Sequence, residues 1–446
     1  MAIPLSEVAQ FVLVAYTPLV ALAIWGLPEA IQQFYLSHAP LLMASSFALP
    51  MAVLGYTHPS SVLRLAVLPL VALGTVSYHT LSPQIFSNRM YAAMLDGPFM
   101  LLFLTSVDAL LLQRLYLDPQ GQERSARLPT AEKKGKRDEA SSFKARNPWA
   151  ILQWTAHVIW SYRAIGMRRE TKNMPQFPRG VTPSRATFLL NRTLACIGAY
   201  LALDLLANAP SGPAEDFAME KAALFLPRHL WTPAVLSNRV ISTILFWFIL
   251  RLSIGFVYNF ISVLGVATFL TGPADWPPYF GSPVDAWTLR RFWAVFWHSG
   301  LRNPLVSSAN FVTYDVLRLS RGGLLARYTS IFLTFGISAI IHKYVDKTSG
   351  IPPVENTAHV LFLMQAVGIT VEDFAQWIYK QSLGTGRPQK GKTARFEPWK
   401  RILGYVWVMV WLIWTTPAWS FPNISHPGDP LFPFSVVRYV TQNYSV

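Results

Sequence analysis

The chain has 446 residues, of which 52% are hydrophobic and only 14% are charged. Soluble globular proteins carry about 25% charged residues, so this composition excludes a set of soluble domains and favours one polytopic membrane domain. The net charge of +15 does not indicate a nucleic-acid partner, because the basic residues are concentrated in two loops, as the positive-inside rule predicts for cytoplasmic connections. The single cysteine, Cys196, excludes an intramolecular disulfide and a cysteine-rich metal site.

Apolar runs of about 20 residues, the length that crosses a bilayer as a helix, recur along the chain. They predict an all-α polytopic membrane protein with about 8–10 transmembrane helices. The predicted spans lie near residues 8–27, 40–56, 62–82, 91–116, 186–207, 236–267, 324–345, 356–380 and 402–420. The first run follows Glu7 rather than basic residues, so we interpret it as a retained anchor and not as a cleaved signal peptide. The run over 236–267 is long enough to tilt or to project from the bilayer.

The composition changes sharply in residues 117–185, where basic residues accumulate: Arg124, Arg127, Lys133, Lys134, Lys136, Arg137, Lys144, Arg146, Arg168, Arg169, Lys172 and Arg179. Residues 120–146 are expected to be disordered or weakly ordered. The apolar residues of the loop predict an amphipathic helix on the membrane surface: Trp149, Ile151, Trp154, Val158, Ile159 and Ile165. A second basic loop, Arg387–Arg401, joins the last two predicted spans.

Both basic loops are expected in the cytoplasm. The N-terminus then also lies in the cytoplasm, and the C-terminal tail lies in the lumen with two glycosylation sequons, Asn423–Ser425 and Asn443–Ser445. The sequence therefore predicts a multi-pass membrane glycoprotein, which we expect in the endoplasmic reticulum. We divide the single membrane domain, 1–446, into N-terminal spans (1–117), the basic cytoplasmic loop with its amphipathic helix (118–185) and a membrane core (186–446).

One stretch, residues 285–303, is too aromatic and too polar for an ordinary span. It combines Trp287, Arg290, Arg291, Phe292, Trp293, Phe296, Trp297, His298, Arg302 and Asn303. A helix is predicted to begin near Pro283. By the three-and-four spacing, two faces are predicted: Phe292, Phe296 and Ser299 or Gly300 on one, and Trp293 and Trp297 on the other. On this pattern alone, an interfacial aromatic belt with a solvated His298 fits the sequence as well as an active site does.

A second histidine, His342, ends an otherwise apolar helix over residues 335–342. Polar groups inside a span are costly and mark functional sites. An imidazole can accept the proton of an alcohol because its pKa lies near physiological pH. The small residues Gly336, Ser338 and Ala339 let a helix or a ligand approach closely. The alternative is a helix-end histidine that is hydrogen-bonded to a neighbouring span.

Other membrane chemistries fit the sequence less well. None of the nine histidines lies within five residues of another, which argues against a di-iron desaturase. Asp96 and Asp108 are isolated, whereas an intramembrane prenyltransferase needs aspartate-rich magnesium sites. The sequence has no phosphate-binding loop, dinucleotide fingerprint or serine elbow, and no metal site is expected.

Two further sets of charged residues fall in predicted spans. The adjacent Glu372 and Asp373 could line a cavity or bond to another span, and we favour the structural role. Arg251 and Asp204 could pair between neighbouring spans, which would offset the cost of each charge in the bilayer.

Together these residues resemble the wax-synthase-like branch of the membrane-bound O-acyltransferase superfamily. The resemblance covers residues 230–420. The segment Leu289–Arg302 resembles the aromatic Phe-Trp and Trp-His motif of the branch, and the apolar helix that ends at His342 resembles the second histidine of the superfamily. The tail Trp399–Trp407, followed by Thr416–Trp419, resembles its last span.

The resemblance implies acyl transfer from acyl-CoA to a hydroxyl, in a tunnel through the catalytic membrane core. In this chain His342 would be the general base, and His298 would hydrogen-bond the thioester carbonyl or orient the substrates. Substrate contacts are expected at Trp293, Trp297, Arg290, Arg291, Arg302 and Asn303. The arginines would meet the CoA phosphates, or would instead reach to lipid headgroups. The motif departs from the branch, which commonly has an arginine-rich pair and a glutamine, at Ala294, Val295 and Ser299.

Within the branch, the sequence is most similar to fungal acetyltransferases that modify lipophilic terpenoid or meroterpenoid metabolites. The expected partners are acetyl-CoA as co-substrate, a lipophilic alcohol and membrane lipids, with no bound cofactor and no nucleic acid. One alternative is a wax-ester synthase that uses long-chain acyl-CoA and a fatty alcohol. The other is a transporter or scaffold, for which both histidines would be dispensable.

The predicted topology places His342 near the lumenal end of its span, although CoA is cytoplasmic. Either a span is therefore miscounted, or the alcohol arrives from within the membrane.

Overall fold

The computed structural model of the protein describes residues 26–118, 121–126, 147–210, 212–382 and 398–444. The α-helices of these residues are α1 (Glu29–Ser37), α2 (Ala39–Tyr56), α3 (Leu63–Ile85), α4 (Arg89–Val107), α5 (Pro148–Trp160), α6 (Arg185–Ala207), α7 (Met219–Ala222), α8 (Pro233–Ala267), α9 (Leu289–Arg291), α10 (Arg302–Asn310), α11 (Leu324–Ser349), α12 (Ala358–Ser382), α13 (Pro398–Thr415), α14 (Pro417–Ser425) and α15 (Val436–Tyr444). An antiparallel ribbon pairs β1 (Leu115–Leu117) with β2 (Glu123–Ser125). The all-α prediction is confirmed.

Seven described helices are long and apolar enough to cross a bilayer: α2, α3, α4 with its extension to Leu112, α6, α8, α11 and α12. They coincide with seven predicted spans. Helices α13 and α14 would together form an eighth span, bent by 47°, and the bend lies at Pro417, which has no N–H to continue the helical hydrogen bonds. Helix α8 has 35 residues and is therefore about 52 Å long, well beyond the ~30 Å of bilayer hydrocarbon.

Several sequence-based predictions fall on residues outside the described ranges. These are most of the span near 8–27, most of the stretch 120–146 and residues 387–397 of the second basic loop. The expectation of disorder is wrong for β2, because residues of this strand find charged and aromatic partners. Arg124 donates to Asp118 at 2.8 Å, and Glu123 accepts a hydrogen bond from the indole of Trp154 at 3.3 Å.

The chain forms two compact units, each built from two separate stretches. Unit 1 comprises Met1–Thr171 and Gly300–Gly350, and unit 2 comprises Lys172–Ser299 and Ile351–Val446. His342 therefore belongs to unit 1 and His298 to unit 2. The single membrane domain, its subdivision and the sidedness of the loops stay predictions.

Unit 1 has its core on α3 and α4. The rings of Tyr78 and Phe99 stack at 4.1 Å, and the Tyr78 hydroxyl donates to the Ala92 carbonyl at 2.9 Å. Fully buried aliphatic side chains surround this pair: Leu54, Leu68, Val71, Leu102, Val107, Leu110, Val158 and Ile159. Burial of these side chains stabilises unit 1, at about 1.5–3 kcal/mol for each large apolar residue.

The predicted amphipathic helix of the basic loop is confirmed as α5, but its apolar side is not turned only to lipid. Ile151, Val158 and Ile159 are buried in unit 1. Gly55 of α2 permits this packing, since a Cβ atom there would lie only 2.5 Å from Ile151 Cγ2. Trp149, at the start of α5, is 55% exposed. Protein packing on α2 therefore covers the apolar residues that the sequence alone would assign to the membrane surface.

Unit 2 is organised around α8, which lies along α6. Arg192 of α6 donates to Asn259 at 2.7 Å and to the Trp276 carbonyl at 2.9 Å. Because a guanidinium satisfies two acceptors at once, this residue joins α6, α8 and the segment that follows α8.

The predicted pairing of Arg251 with Asp204 is wrong. The Asp204 carboxylate accepts the backbone N–H of Val437 at 3.0 Å, at the positive N-terminal end of α15. The Arg251 guanidinium carbon lies 4.5 Å from the ring centroid of Phe280 and 5.3 Å from that of Phe296. Asp204 thus contacts a helix N-terminus, and Arg251 contacts two aromatic rings, instead of pairing with each other.

Arg64, at the start of α3, gives a first testable prediction. Its buried guanidinium donates to the carbonyls of Leu115, Thr57 and Leu54 at 2.8, 3.0 and 3.3 Å. Arg64→Met would leave these carbonyls without a donor, so we expect the free energy of unfolding to fall by about 2–4 kcal/mol. Thermal unfolding in detergent micelles measures the change. Arg168→Met, at an exposed position of unit 1, is the control, and equal midpoints for the two variants would contradict this role of Arg64.

Candidate functional site

The indole of Trp247 on α8 organises the aromatic residues of unit 2. Its ring meets Trp297 edge to face at 4.7 Å, Phe292 at 5.4 Å and Trp293 at 5.9 Å. Its N–H donates to the Thr416 hydroxyl at 2.9 Å. We call the set the aromatic centre and define it as Trp247, Tyr279, Phe280, Phe292, Trp293, Phe296, Trp297 and His298. Edge-to-face contacts stabilise such rings beyond their buried area.

The backbone of the aromatic centre departs from the predicted helix. After α9, residues Phe292–Phe296 form a π-helical turn. The Trp297 N–H donates to the Phe292 carbonyl at 2.7 Å, and the chain is extended at Trp297. The rings of Phe292 and Trp297, five residues apart, consequently stack at 5.9 Å. The predicted face with Ser299 or Gly300 is therefore wrong, because the helix ends before His298.

His298 packs beside two aromatic rings of the preceding loop. Tyr279 is parallel to the imidazole at 5.5 Å, and Phe280 meets it edge-on at 5.9 Å. The loop is held by the Gly281 N–H, which donates to the Phe296 carbonyl at 2.8 Å. A Cβ atom at position 281 would collide with the carbonyl oxygen of Val295. The imidazole plane is therefore set by a close backbone contact that only glycine permits.

Arg251 brings a positive charge to the aromatic centre. Besides its contacts with Phe280 and Phe296, its Nη1 atom is buried and has no hydrogen-bond partner among the described residues. The faces of the rings offset part of the cost of this cation in a span. Sequence reasoning missed this placement, although an arginine within a 35-residue apolar helix was a signal for it.

The acidic pair on α12 fixes the start of α9. The buried carboxylate of Glu372 accepts the backbone N–H of Leu289 at 2.7 Å, one of the donors that a helix N-terminus leaves unpaired. The Asp373 carboxylate pairs with Arg290 at 2.6 Å. The structural role favoured for Glu372 and Asp373 is confirmed by these contacts.

Four of the predicted substrate residues lie with His298 in unit 2. Arg290 is paired with Asp373, as above, and Arg291 pairs with Asp285 at 2.7 Å. The Trp293 indole donates to the Gln365 amide oxygen at 3.2 Å, and Trp297 is buried in the aromatic centre. The glutamine that receives Trp293 lies on α12 and was not found from the sequence.

The remaining predicted site residues, His342, Arg302 and Asn303, lie in unit 1. The His342 ring donates from Nδ1 to the Ser338 carbonyl of its own helix at 2.7 Å. Because a carbonyl can only accept, the neutral ring carries its proton on Nδ1 and its lone pair on Nε2. The tautomer of His342 is thus the one that presents Nε2 as a base.

Arg302 and Asn303 begin α10. The Asn303 amide donates to the Arg169 carbonyl at 3.1 Å and so ties the basic loop to α10. Burial lowers the pKa of the Arg302 guanidinium below its ordinary value. These contacts assign Asn303 an anchoring role in unit 1.

Asp96 and Asp108, which the sequence does not place in an aspartate-rich motif, take their partners from other elements. Asp108 accepts the Ser307 hydroxyl and lies 3.9 Å from Arg169. Asp96 pairs with His79 at 2.9 Å. Among the described residues, no group of three or more histidine, cysteine or acidic side chains could hold a metal ion.

Comparison with known proteins identifies the family. A profile of the membrane bound O-acyl transferase family matches residues 276–365. The chain is 34% identical to acetyltransferase ataH of Aspergillus terreus over 65% of this chain and 96% of ataH. The chain belongs to the membrane-bound O-acyltransferase family.

Two further relatives agree with this assignment. This acyltransferase is 32% identical to acetyltransferase spyB of Aspergillus fumigatus over 68% of its own length and 54% of spyB. It is 32% identical to acetyltransferase TRI7 of Fusarium sporotrichioides over 63% of its own length and 66% of TRI7. The chain thus spans about half the length of spyB and two thirds of TRI7. The predicted family and the prediction of a multi-pass membrane acyltransferase are confirmed.

The adjacent acidic residues of α12 give a matched comparison. Glu372→Met leaves a buried N–H at Leu289 without its acceptor, so we expect the free energy of unfolding to fall by about 1–3 kcal/mol. Asp373→Leu removes a partly exposed ion pair with Arg290 and should cost at most about 1 kcal/mol. Thermal unfolding in micelles compares the two. A loss from Asp373→Leu as large as that from Glu372→Met would contradict the assigned roles.

Proposed function

We propose that this acyltransferase transfers an acetyl group from acetyl-CoA to a hydroxyl of a lipophilic secondary metabolite, of the terpenoid or meroterpenoid class. The relatives described above all carry the name acetyltransferase, which supports acetyl as the transferred group. A location in the endoplasmic reticulum is part of the proposal. A wax-ester synthase is the alternative.

The observation that carries the proposal is the His342 imidazole. It lies in a candidate span, and its hydrogen bond to the Ser338 carbonyl fixes the tautomer that a general base needs. In the proposed reaction Nε2 takes the proton of the acceptor hydroxyl as the oxygen attacks the thioester carbonyl carbon. The C–S bond then breaks, and the departing CoA thiolate receives the proton from the imidazolium. The products are the acetate ester and CoA-SH, and neutral His342 is restored.

His298 is proposed to hydrogen-bond the thioester carbonyl or to orient the substrates. Its ring is fixed by Tyr279 and Phe280. A donor that is already oriented stabilises a developing oxyanion without reorganisation during the reaction. Trp293 and Trp297 would form an apolar wall for the substrates beside His298.

We propose that Arg290, Arg291 and Arg302 bind the CoA phosphates. Phosphate binding at these residues would explain the dependence of the enzyme on acetyl-CoA. Asp373 and Asp285 already pair with Arg290 and Arg291, so phosphate would have to compete with these carboxylates.

An apolar groove in unit 2, with Phe225 and Trp231 exposed at its rim, has a size that suits a lipophilic acceptor. It has a volume of about 500 Å³ and lies between α8 and α13, lined by residues that include Phe225, Trp231, Val240, Val410 and Trp414. This volume falls within the range of about 300–1,000 Å³ that holds small organic ligands.

The two histidines provide the direct test of the proposed mechanism. We expect His342→Ala to lower the rate of acetyl transfer by about 100- to 10,000-fold, the usual contribution of a general base. His298→Ala should lower it by about 100-fold, because the oxyanion would lose one oriented donor. Microsomes that contain equal amounts of inserted protein, assayed with labelled acetyl-CoA, give the measurement. His38→Ala and His229→Ala, at exposed positions, are the controls, and wild-type activity of His342→Ala would contradict the mechanism and favour a transporter or scaffold.

The identity of the acyl group is tested with labelled acetyl-CoA and palmitoyl-CoA, each offered with sterol, terpenoid and fatty-alcohol acceptors. We expect kcat/KM to favour acetyl-CoA by about tenfold or more, since a site shaped for a two-carbon group excludes a long chain. Transfer from palmitoyl-CoA alone would establish the wax-ester alternative. No transfer with any pair would contradict the proposed enzyme.

A further inference from the structure

A buried polar triad connects three spans of unit 1. His79 of α3 bonds through Nδ1 to Asp96 Oδ2 of α4 at 2.9 Å, and the Thr348 hydroxyl of α11 donates to the same oxygen at 2.7 Å. The three residues are 6%, 0% and 2% exposed. We call His79, Asp96 and Thr348 the polar triad.

The burial of the Asp96 carboxyl group makes the triad sensitive to geometry. A carboxylate in a span costs several kcal/mol unless it is paired and hydrogen-bonded. Asp96 Oδ2 obtains its donors from α3 and α11, and a displacement of about 1 Å would stretch a 2.7 Å bond beyond the useful range. The Asp96 carboxyl group consequently holds α3, α4 and α11 in one register, because its hydrogen bonds would break if one helix slid along another.

Apolar contacts reinforce this register next to His342. The ring of Tyr344 meets the His79 imidazole edge to face at 4.3 Å. Val345 packs against α4, since a Cβ atom at Gly97 would lie 4.0 Å from its Cγ2. The two residues that follow Lys343 in α11 are thus both fixed against other spans of unit 1.

Helix geometry relates the triad to His342. Thr348 follows His342 by six residues, which is about 9 Å along the helix axis. Tyr344 and Thr348 lie about 200° and 240° around the helix from His342. The triad therefore attaches α11 on a side of the helix other than the one that carries His342.

We propose that the polar triad is a positioning device for the general base. Its hydrogen bonds set the axial position and the rotation of α11, and thereby the place of the His342 imidazole. This inference rests on the proposed function, in which His342 removes the acceptor proton. Misplacement of a base by about 1 Å can lower a rate by about 100-fold, so the register of α11 matters for turnover rather than for substrate binding.

The hydroxyl of Thr348 is the group to change, because valine keeps its shape and removes the donor. We expect Thr348→Val to lower kcat about tenfold or more per folded enzyme, with the KM for acetyl-CoA within about twofold of wild type. Thr348→Ser keeps the donor and should retain kcat. Thr334→Val is the matched control, because the Thr334 hydroxyl donates to the Ser330 carbonyl of its own helix. The amount of folded protein is measured from its monodisperse elution in detergent, so that a lower yield of a variant is not counted as a lower kcat.

Two further variants separate positioning from other roles. His79→Gln can still donate to Asp96 and should keep most of the activity, whereas chemical participation of His79 would make this variant as inactive as His342→Ala. In a His342→Ala background, Thr348→Val should cause no additional loss of the residual rate, because the triad acts through His342.

The outcomes distinguish this inference from the proposed function. Wild-type kcat in Thr348→Val, or an equal loss with and without His342, would overturn the positioning role while the base assignment stands. Full activity of His342→Ala would overturn the base assignment and the positioning role together.

Discussion

The carboxylate of Glu372 on the backbone N–H of Leu289 is the contact on which the geometry of the aromatic centre depends. It fixes the first turn of α9, and the π-helical turn that follows brings Phe292 and Trp297 together. The turn ends in extended backbone at Trp297, so that His298 leaves the helix and packs beside Tyr279 and Phe280. Without the Glu372 carboxylate, the first turn of α9 would lose this attachment, and the contacts that lead from α9 to the His298 imidazole would be weakened.

A second theme is how spans accommodate charge in a low-dielectric medium. Asp96 Oδ2 bonds to a histidine and a threonine, Asp204 accepts an N–H at a helix N-terminus, and Arg251 lies against two aromatic faces. The partners of Asp204 and Arg251 are not the opposite full charges that a simple pairing rule supplies. In each case the partner comes from another element, and the polar group thereby joins elements that apolar packing alone would allow to slide.

These examples explain which parts of the structure the sequence could predict. Hydropathy located seven spans correctly, because bilayer thickness fixes the length of an apolar helix regardless of its neighbours. The aromatic stretch and His342 carried the family resemblance because they are short local patterns. The π-helical turn, the covered side of α5 and the partner of Asp96 were missed, since each is decided by contacts between distant residues. His79 is 17 residues from Asp96, and Thr348 is 252 residues away.

The glycine at position 281 has a mechanical consequence. With the Val295 carbonyl pressed against its Cα, the loop that carries Tyr279 and Phe280 has no slack relative to the π-helical turn. The two segments must move as one stiff body, and the His298 ring moves with them. A molecule that presses on the face of either aromatic ring would consequently turn the imidazole rather than deform the loop. Because this short segment is stiff, the shape of a molecule at its surface would affect the orientation of the His298 ring.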